Sequence, residues 1–220
     1  MTIVKLSKAA PSNKLSSSAK VTGLKVIIHI LALLPVVQIY YLAFTAQISG
    51  DVVQRLIHFT GIGAFNLLLI TLAVTPVAKR FKQGYLMQVK RLLGLYSFFY
   101  GLLHVLNFML FDLQLDLALF FAEVVKRPYI TIGMLAFIAL TALAVTSISR
   151  IKRRMGKRWQ ALHNVIYLIA ILVAVHFYWS VKSELTSPIF YFAITLILLS
   201  FRYKKLNALI SSVFARKSAP

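Results

Sequence analysis

The run LHNVIYLIAILVAVHFYWSV, residues 162–181, holds twenty residues with no acid, no lysine and no arginine, and it carries two histidines set 13 apart. At 1.5 Å per residue a helix of that length covers about 30 Å, the thickness of a bilayer's hydrocarbon layer. Comparable runs recur along the chain, so the pattern predicts membrane helices over 26–46, 56–77, 92–111, 129–148, 162–181 and 185–201. The runs are continuously apolar, whereas barrel strands alternate over about ten residues, so helices are the expected element. The composition agrees: the 220 residues are 60% hydrophobic, with a mean hydropathy of +0.81. That is more apolar surface than a soluble core of this size can bury. The expected fold is an all-α integral membrane bundle of six transmembrane helices over 23–205. A basic, mobile tail (1–22) precedes it and a second basic tail (206–220) follows. The first run is too long, and too far behind a polar stretch, to read as a cleavable signal peptide.

A formal charge of +20 raises nucleic acid as a partner, but the arrangement of the charges argues for a membrane instead. Of 25 lysines and arginines, all but Arg55, Lys126, Arg127 and Lys182 fall in the 25 residues before the first run, in alternate loops (79–91 and 150–158) or in the C-terminal segment. The five acids, Asp51, Asp112, Asp116, Glu123 and Glu184, gather on the opposite side. The positive-inside rule then puts both termini in the cytoplasm of a cell whose inner membrane the chain crosses, with anionic lipid attracted to the basic loops. Zero cysteines excludes iron–sulfur clusters, covalently attached c-type haem, thiol redox chemistry and disulfides. No glycine-rich phosphate loop and no internal repeat stands out, and six spans leave no room for a soluble nucleotide-binding domain.

Ionisable groups inside spans are costly and therefore point to function. His29 and His163 fall in the inner half of their spans, and His58, His104 and His176 in the outer half. His104 and His176 sit at matched depths, about 18 and 21 Å by helical rise from the inner ends of spans three and five. Two facing imidazoles at one depth suit the two axial positions of a haem iron. Zinc fits less well, because it takes four closely grouped ligands and these spans contain no acid. A proton relay stays open, although relays usually include buried carboxylates.

Several stretches together resemble one family: His58-Phe59-Thr60-Gly61, Thr75-Pro76, Lys90-Arg91-Leu92-Leu93-Gly94-Leu95, His104, Arg127-Pro128-Tyr129, Leu162-His163-Asn164, His176-Phe177-Tyr178-Trp179-Ser180-Val181-Lys182 and Arg202-Tyr203-Lys204-Lys205. The family is MsrQ (YedZ), the haem-binding membrane subunit of periplasmic methionine sulfoxide reductase systems, within the ferric-reductase-like transmembrane superfamily. The resemblance implies b-type haem, one or two per chain, with ligands falling on His104 and His176 and a further haem on His163. It also implies an association with FMN and delivery of electrons to a periplasmic molybdopterin-containing reductase that repairs oxidised methionine. The subunit would have no substrate chemistry of its own. Ile62-Gly63 departs from the Arg-Thr of the family, and the N-terminal tail is unlike it.

Two-haem members of the wider superfamily bring histidines 13 or 14 residues apart on each of two helices. Span five has them in His163 and His176, but span three has Arg91 and Lys90 at those distances before His104. Neither cation ligates iron, yet both can hold a haem propionate or a flavin phosphate. His29 is a substitute partner for His163. With no dehydrogenase domain in the chain, the donor would be the quinol pool, with quinone as a further redox partner, or a cytosolic flavin reductase supplying reduced flavin. Two competing functions carry different expectations: a proton-coupled transporter using titrating histidines, and a stand-alone transmembrane metal reductase that turns over ferric substrates without a partner.

Overall fold

The computed structural model describes residues 13–181, 184–203 and 207. Most of both expected tails lies outside the described residues, as do Lys182, Lys204 and Lys205. Helix α1 (Asn13–Phe44) begins well ahead of the expected first span and contains Pro35. Helix α2 (Val52–Arg80) starts where the Asp51 carboxylate accepts the Gln54 backbone N–H, and its last turn holds Lys79 and Arg80, cations suited to the negative end of the helix dipole. A 3₁₀ turn, Gly84–Gln88, leads into α3 (Lys90–Asn107), which continues as a π-helical turn, Phe108–Asp112. Then come α4 (Leu117–Lys126), capped by Asp116, and α5 (Pro128–Thr146), which opens with its proline where no backbone N–H is needed. Short helices α6 (Ser149–Met155) and α7 (Lys157–His163) precede α8 (Ile166–Ser180) and α9 (Thr186–Ser200).

Among the described residues, five helices are long and apolar enough to cross a membrane: Ser18–Phe44, Val52–Arg80, Lys90–Asp112, Pro128–Thr146 and Lys157–Ser180. The chain is a multi-pass membrane protein. The expected sixth span is a shorter apolar helix, α9, whose 15 residues cover about 22 Å. Two further differences from the sequence reading concern connections. The stretch between the third and fourth long helices folds into α4, whose Leu117, Phe121 and Val125 stay exposed. The fifth crossing is broken at Asn164–Val165 into α7 and α8, and Gly156, at φ +53°, makes the left-handed turn between α6 and α7 that a side chain would disfavour.

The main core forms where α2, α5, α8 and α9 meet, around Phe65, Leu68, Ile169, Ala170 and Ala174. Helix α1 docks on the α2–α3 pair through a smaller cluster of Ala32, Val36, Tyr96 and Tyr100. Polar contacts fix its register. The Tyr40 hydroxyl donates to Asn107 Oδ1 at 2.6 Å, the Tyr100 hydroxyl donates to the Ala32 carbonyl at 2.8 Å, and His29 pairs with the Tyr96 hydroxyl. In lipid no water replaces such a bond, so each donor has to find its partner inside the protein. Large apolar side chains such as Leu31 and Ile138 face outward, as a lipid solvent requires.

The bundle has an acidic end, with Asp51, Asp112, Asp116, Glu123 and Glu184, and a basic end, with Lys79, Arg80, Lys90, Arg91 and the α6–α7 cations. Helices α2 and α5 start at the acidic end, and α3 and α8 finish there.

Candidate functional site

His104 lies in the last turn of α3 and His176 near the C-terminal end of α8. Their ring centres are 6.1 Å apart and the ring planes cross at 83°. Each Nδ1 is committed to a backbone carbonyl on a neighbouring helix, His104 to Ile57 on α2 at 2.8 Å and His176 to Tyr129 on α5 at 2.7 Å. A carbonyl only accepts, so Nδ1 carries the proton in both rings. The tautomer is thereby fixed, with Nε2 left as the basic nitrogen. A metal between two such nitrogens needs bonds of about 2 Å, and the ring centre lies roughly 1.2 Å behind each nitrogen, so the centres should stand about 6 Å apart. The observed spacing fits a bis-imidazole iron. Among the described residues no three His, Asp or Glu side chains converge, which argues against the four-ligand set of a structural zinc.

The two halves of this site recur at one offset in the sequence. Ile57 and Tyr129, Gly61 and Gly133, and His104 and His176 are each separated by 72 residues. So are Val52-Val53 and Val124-Val125, Arg55 and Arg127, Ala64-Phe65 and Ala136-Phe137, and Gly84 and Gly156. The α2–α3 and α5–α8 pairs therefore correspond to each other, which corrects the expectation of no internal repeat. The identities are sparse and cluster at the site, so hydrophobic periodicity does not disclose them; an ungapped comparison of the chain with itself does. The carbonyls of Ile57 and Tyr129, and the two glycines, are the site components that residue-type reasoning missed.

The other sequence candidates fall elsewhere. His58 is exposed at the acidic end, its ring centre 6.3 Å from that of Phe177. It borders a cavity of about 330 Å³ with Ser49, Asp51, Gln54 and Arg55, and a second of about 210 Å³ with Phe177, Glu184 and Tyr191. At the basic end, His163 Nε2 meets the Thr146 hydroxyl at 3.1 Å, while Trp159 stacks on the ring at 4.0 Å and donates its indole N–H to the Thr146 carbonyl. Lys152 sits over the Trp159 ring. Lys90, half-buried, reaches the Thr75 hydroxyl at 3.4 Å, and Arg91 is exposed beside it. His29 is engaged by Tyr96, whereas His163 is engaged by Thr146 and Trp159; the structure does not pair the two histidines as the sequence reading had suggested.

Helices that present two imidazoles across a membrane bundle define a class of transmembrane redox components, and comparison with known proteins agrees. Residues 60–174 match the ferric reductase like transmembrane component family, a range that includes Gly61, His104, Gly133 and His163. The chain is 43% identical over 192 residues to the protein-methionine-sulfoxide reductase heme-binding subunit MsrQ of Cronobacter sakazakii, covering 87% of this chain and 96% of the relative. It is 45% identical over 186 residues to the subunit of that name from Pectobacterium carotovorum, covering 84% and 94%. The Salmonella arizonae subunit is 41% identical over 190 residues, covering 86% and 96%. No solved structure matches. The chain belongs to the MsrQ family, within the ferric-reductase-like transmembrane proteins.

Proposed function

We propose that this chain is the haem-binding electron-transfer subunit of a methionine sulfoxide reductase system, with His104 and His176 as the axial ligands of one b-type haem. The observation that carries the reading is the spacing and locked tautomer of this histidine pair. A bis-imidazole haem supplies one-electron transfer without a site for substrate binding at the iron. The protein's part is to hold two neutral imidazoles at fixed separation, each oriented by a carbonyl that raises the basicity of the ligating nitrogen. The names of the relatives support haem and the reductase partnership.

In this reading α9 makes a sixth crossing of the bacterial inner membrane and both termini are cytoplasmic. Electrons come from the quinol pool or a cytosolic reduced flavin at the basic end. They leave at the acidic end for a periplasmic molybdopterin-containing reductase. Lys90 and Arg91 hold the phosphate or carboxylate of a second, anionic cofactor, FMN or a second haem. Ligation of a second haem by His163 requires its Nε2 to leave Thr146.

The deciding experiment is a haem assay with a reduced-minus-oxidised spectrum on the purified protein, repeated for His104→Ala and His176→Ala. A low-spin b-type signal lost in both variants is expected. A colourless wild-type preparation would return the histidines to proton transport.

A further inference from the structure

His104 and His176 each donate from Nδ1 to a carbonyl that lies within a helix. The carbonyls of Ile57 and Tyr129 lie inside α2 and α5, where helix geometry pairs each with the backbone N–H four residues on, at Gly61 and Gly133 respectively, and the Thr60 hydroxyl also donates to Ile57 at 3.1 Å. A second donor arriving from another helix has to approach the carbonyl past that i+4 residue, over the place where its Cβ would stand. At both positions the residue is glycine. A Cβ built on Gly61 would lie 2.9 Å from His104 Nδ1 and 3.0 Å from Cε1. One built on Gly133 would lie 2.7 Å from His176 Nδ1, 2.8 Å from Cε1 and 3.2 Å from Cγ. The contacts under 3.0 Å, one at Gly61 and two at Gly133, are closer than a Cβ tolerates and the others are tight, and the atoms that must give way belong to the His104 and His176 rings.

We propose that Gly61 and Gly133 are positioning residues for the two axial imidazoles: each is a notch that admits the imidazole N–H onto an occupied helix carbonyl and so sets the direction of Nε2. The same carbonyl–glycine–histidine relation occurs twice, 47 residues from carbonyl to imidazole in both halves, so one packing accident does not account for it. Nor is helix propensity the reason for glycine, because alanine is the better helix former in α2 and α5.

The inference rests on the haem reading above, and the test separates the two. Haem in the wild-type protein, lost in His104→Ala, establishes that reading. Gly61→Ala and Gly133→Ala are then expected to keep the protein in the membrane while shifting the haem midpoint potential upward, because a displaced ring loses the carbonyl that raised its basicity. Haem should also bind about 10-fold or more weakly, the usual size of an outer-shell loss at a metal site. Gly101→Ala is the control on α3, since a Cβ there meets Leu140 and Phe137 at an ordinary 3.7 Å. Gly63→Ala, where the Cβ would strike Tyr100, should lower thermal stability without moving the potential. Wild-type potential and affinity in both Gly61→Ala and Gly133→Ala would overturn the proposal while leaving the haem assignment intact.

Should those two variants accumulate poorly, a double-mutant comparison reads the same contact without haem. With the His104 ring removed the added methyl has space, so Gly61→Ala should cost stability in the wild-type background and nothing in His104→Ala. An equal cost in both backgrounds would also overturn it.

Discussion

The Nε2 of His163 meets the Thr146 hydroxyl at 3.1 Å and its ring lies under Trp159, whereas His104 and His176 each place Nδ1 on a backbone carbonyl. Two histidines 13 residues apart on one crossing thus meet opposite fates. Replacing Thr146 with valine removes the competing partner, worth about 1 kcal/mol or roughly a fivefold change in an equilibrium. If His163 takes a second haem, Thr146→Val should tighten it by about that factor in a haem titration, with the first haem unaffected. An unchanged titration would assign His163 to packing.

At the acidic end the ligand assignment predicts a sharp contrast among three nearby histidines. His104→Ala and His176→Ala should each abolish the low-spin electron paramagnetic resonance signal while the protein still inserts. His58→Ala should retain it, since His58 is exposed and borders two cavities at the acidic end. Loss of the signal in His58→Ala alone would overturn the pairing.

Stability should depend on the buried amide of Asn107, which accepts from Tyr40 and donates to Thr60 Oγ1 at 3.3 Å and the Leu56 carbonyl at 3.4 Å. It joins α1, α2 and α3 one turn beyond His104. Asn107→Leu strands the Tyr40 hydroxyl, with an expected cost of about 1–3 kcal/mol. Thermal unfolding in detergent should show a lowered midpoint, and Tyr40→Phe in the same background should recover part of it.

Much of this was legible in the residues. Apolar run length located the long helices, because lipid forces every backbone group into an internal bond and so imposes continuous helices. Matched depth places His104 and His176 at one level, and their ring centres stand 6.1 Å apart. What stayed hidden was set by backbone and not by residue type. The carbonyls of Ile57 and Tyr129 leave no mark on side-chain chemistry, and Gly61 and Gly133 read as ordinary membrane-helix glycines until the 72-residue correspondence is noticed. Helix α4 escaped because ten residues are too few to register as a span. The engagement of His29 by Tyr96 depends on how α1 docks, which no local pattern encodes.

The proposed orientation makes a plain test. With the acidic end periplasmic and both termini cytoplasmic, a reporter active only in the periplasm should be silent when fused after Pro220 and active when inserted in the 113–116 turn before α4. The reverse pattern would invert the direction of electron flow.

The last prediction concerns the proposed entry of electrons at the basic end. Arg91 holds the position that corresponds, 72 residues earlier, to His163, so the start of α3 offers a guanidinium where the end of α7 offers an imidazole. A guanidinium stays protonated and does not bind iron, but it grips phosphate and carboxylate in a two-point geometry that lysine lacks. Lys90 beside it is drawn toward Thr75, and Arg91 is exposed, as a group reaching for a cofactor or donor at the membrane surface should be. Losing one charge-assisted contact of this kind costs about 1.5–3 kcal/mol, which corresponds to roughly one to two orders of magnitude in affinity. Arg91→Ala should therefore slow reduction by a flavin or quinol donor at sub-saturating concentration by about tenfold, and excess donor should restore the rate. The low-spin spectrum of the His104–His176 pair should be unchanged. Arg91→Lys should recover only part of the rate, because it restores charge without the paired hydrogen bonds. A wild-type rate in Arg91→Ala would confine the residue to membrane orientation and require electrons to reach the histidine pair by another route.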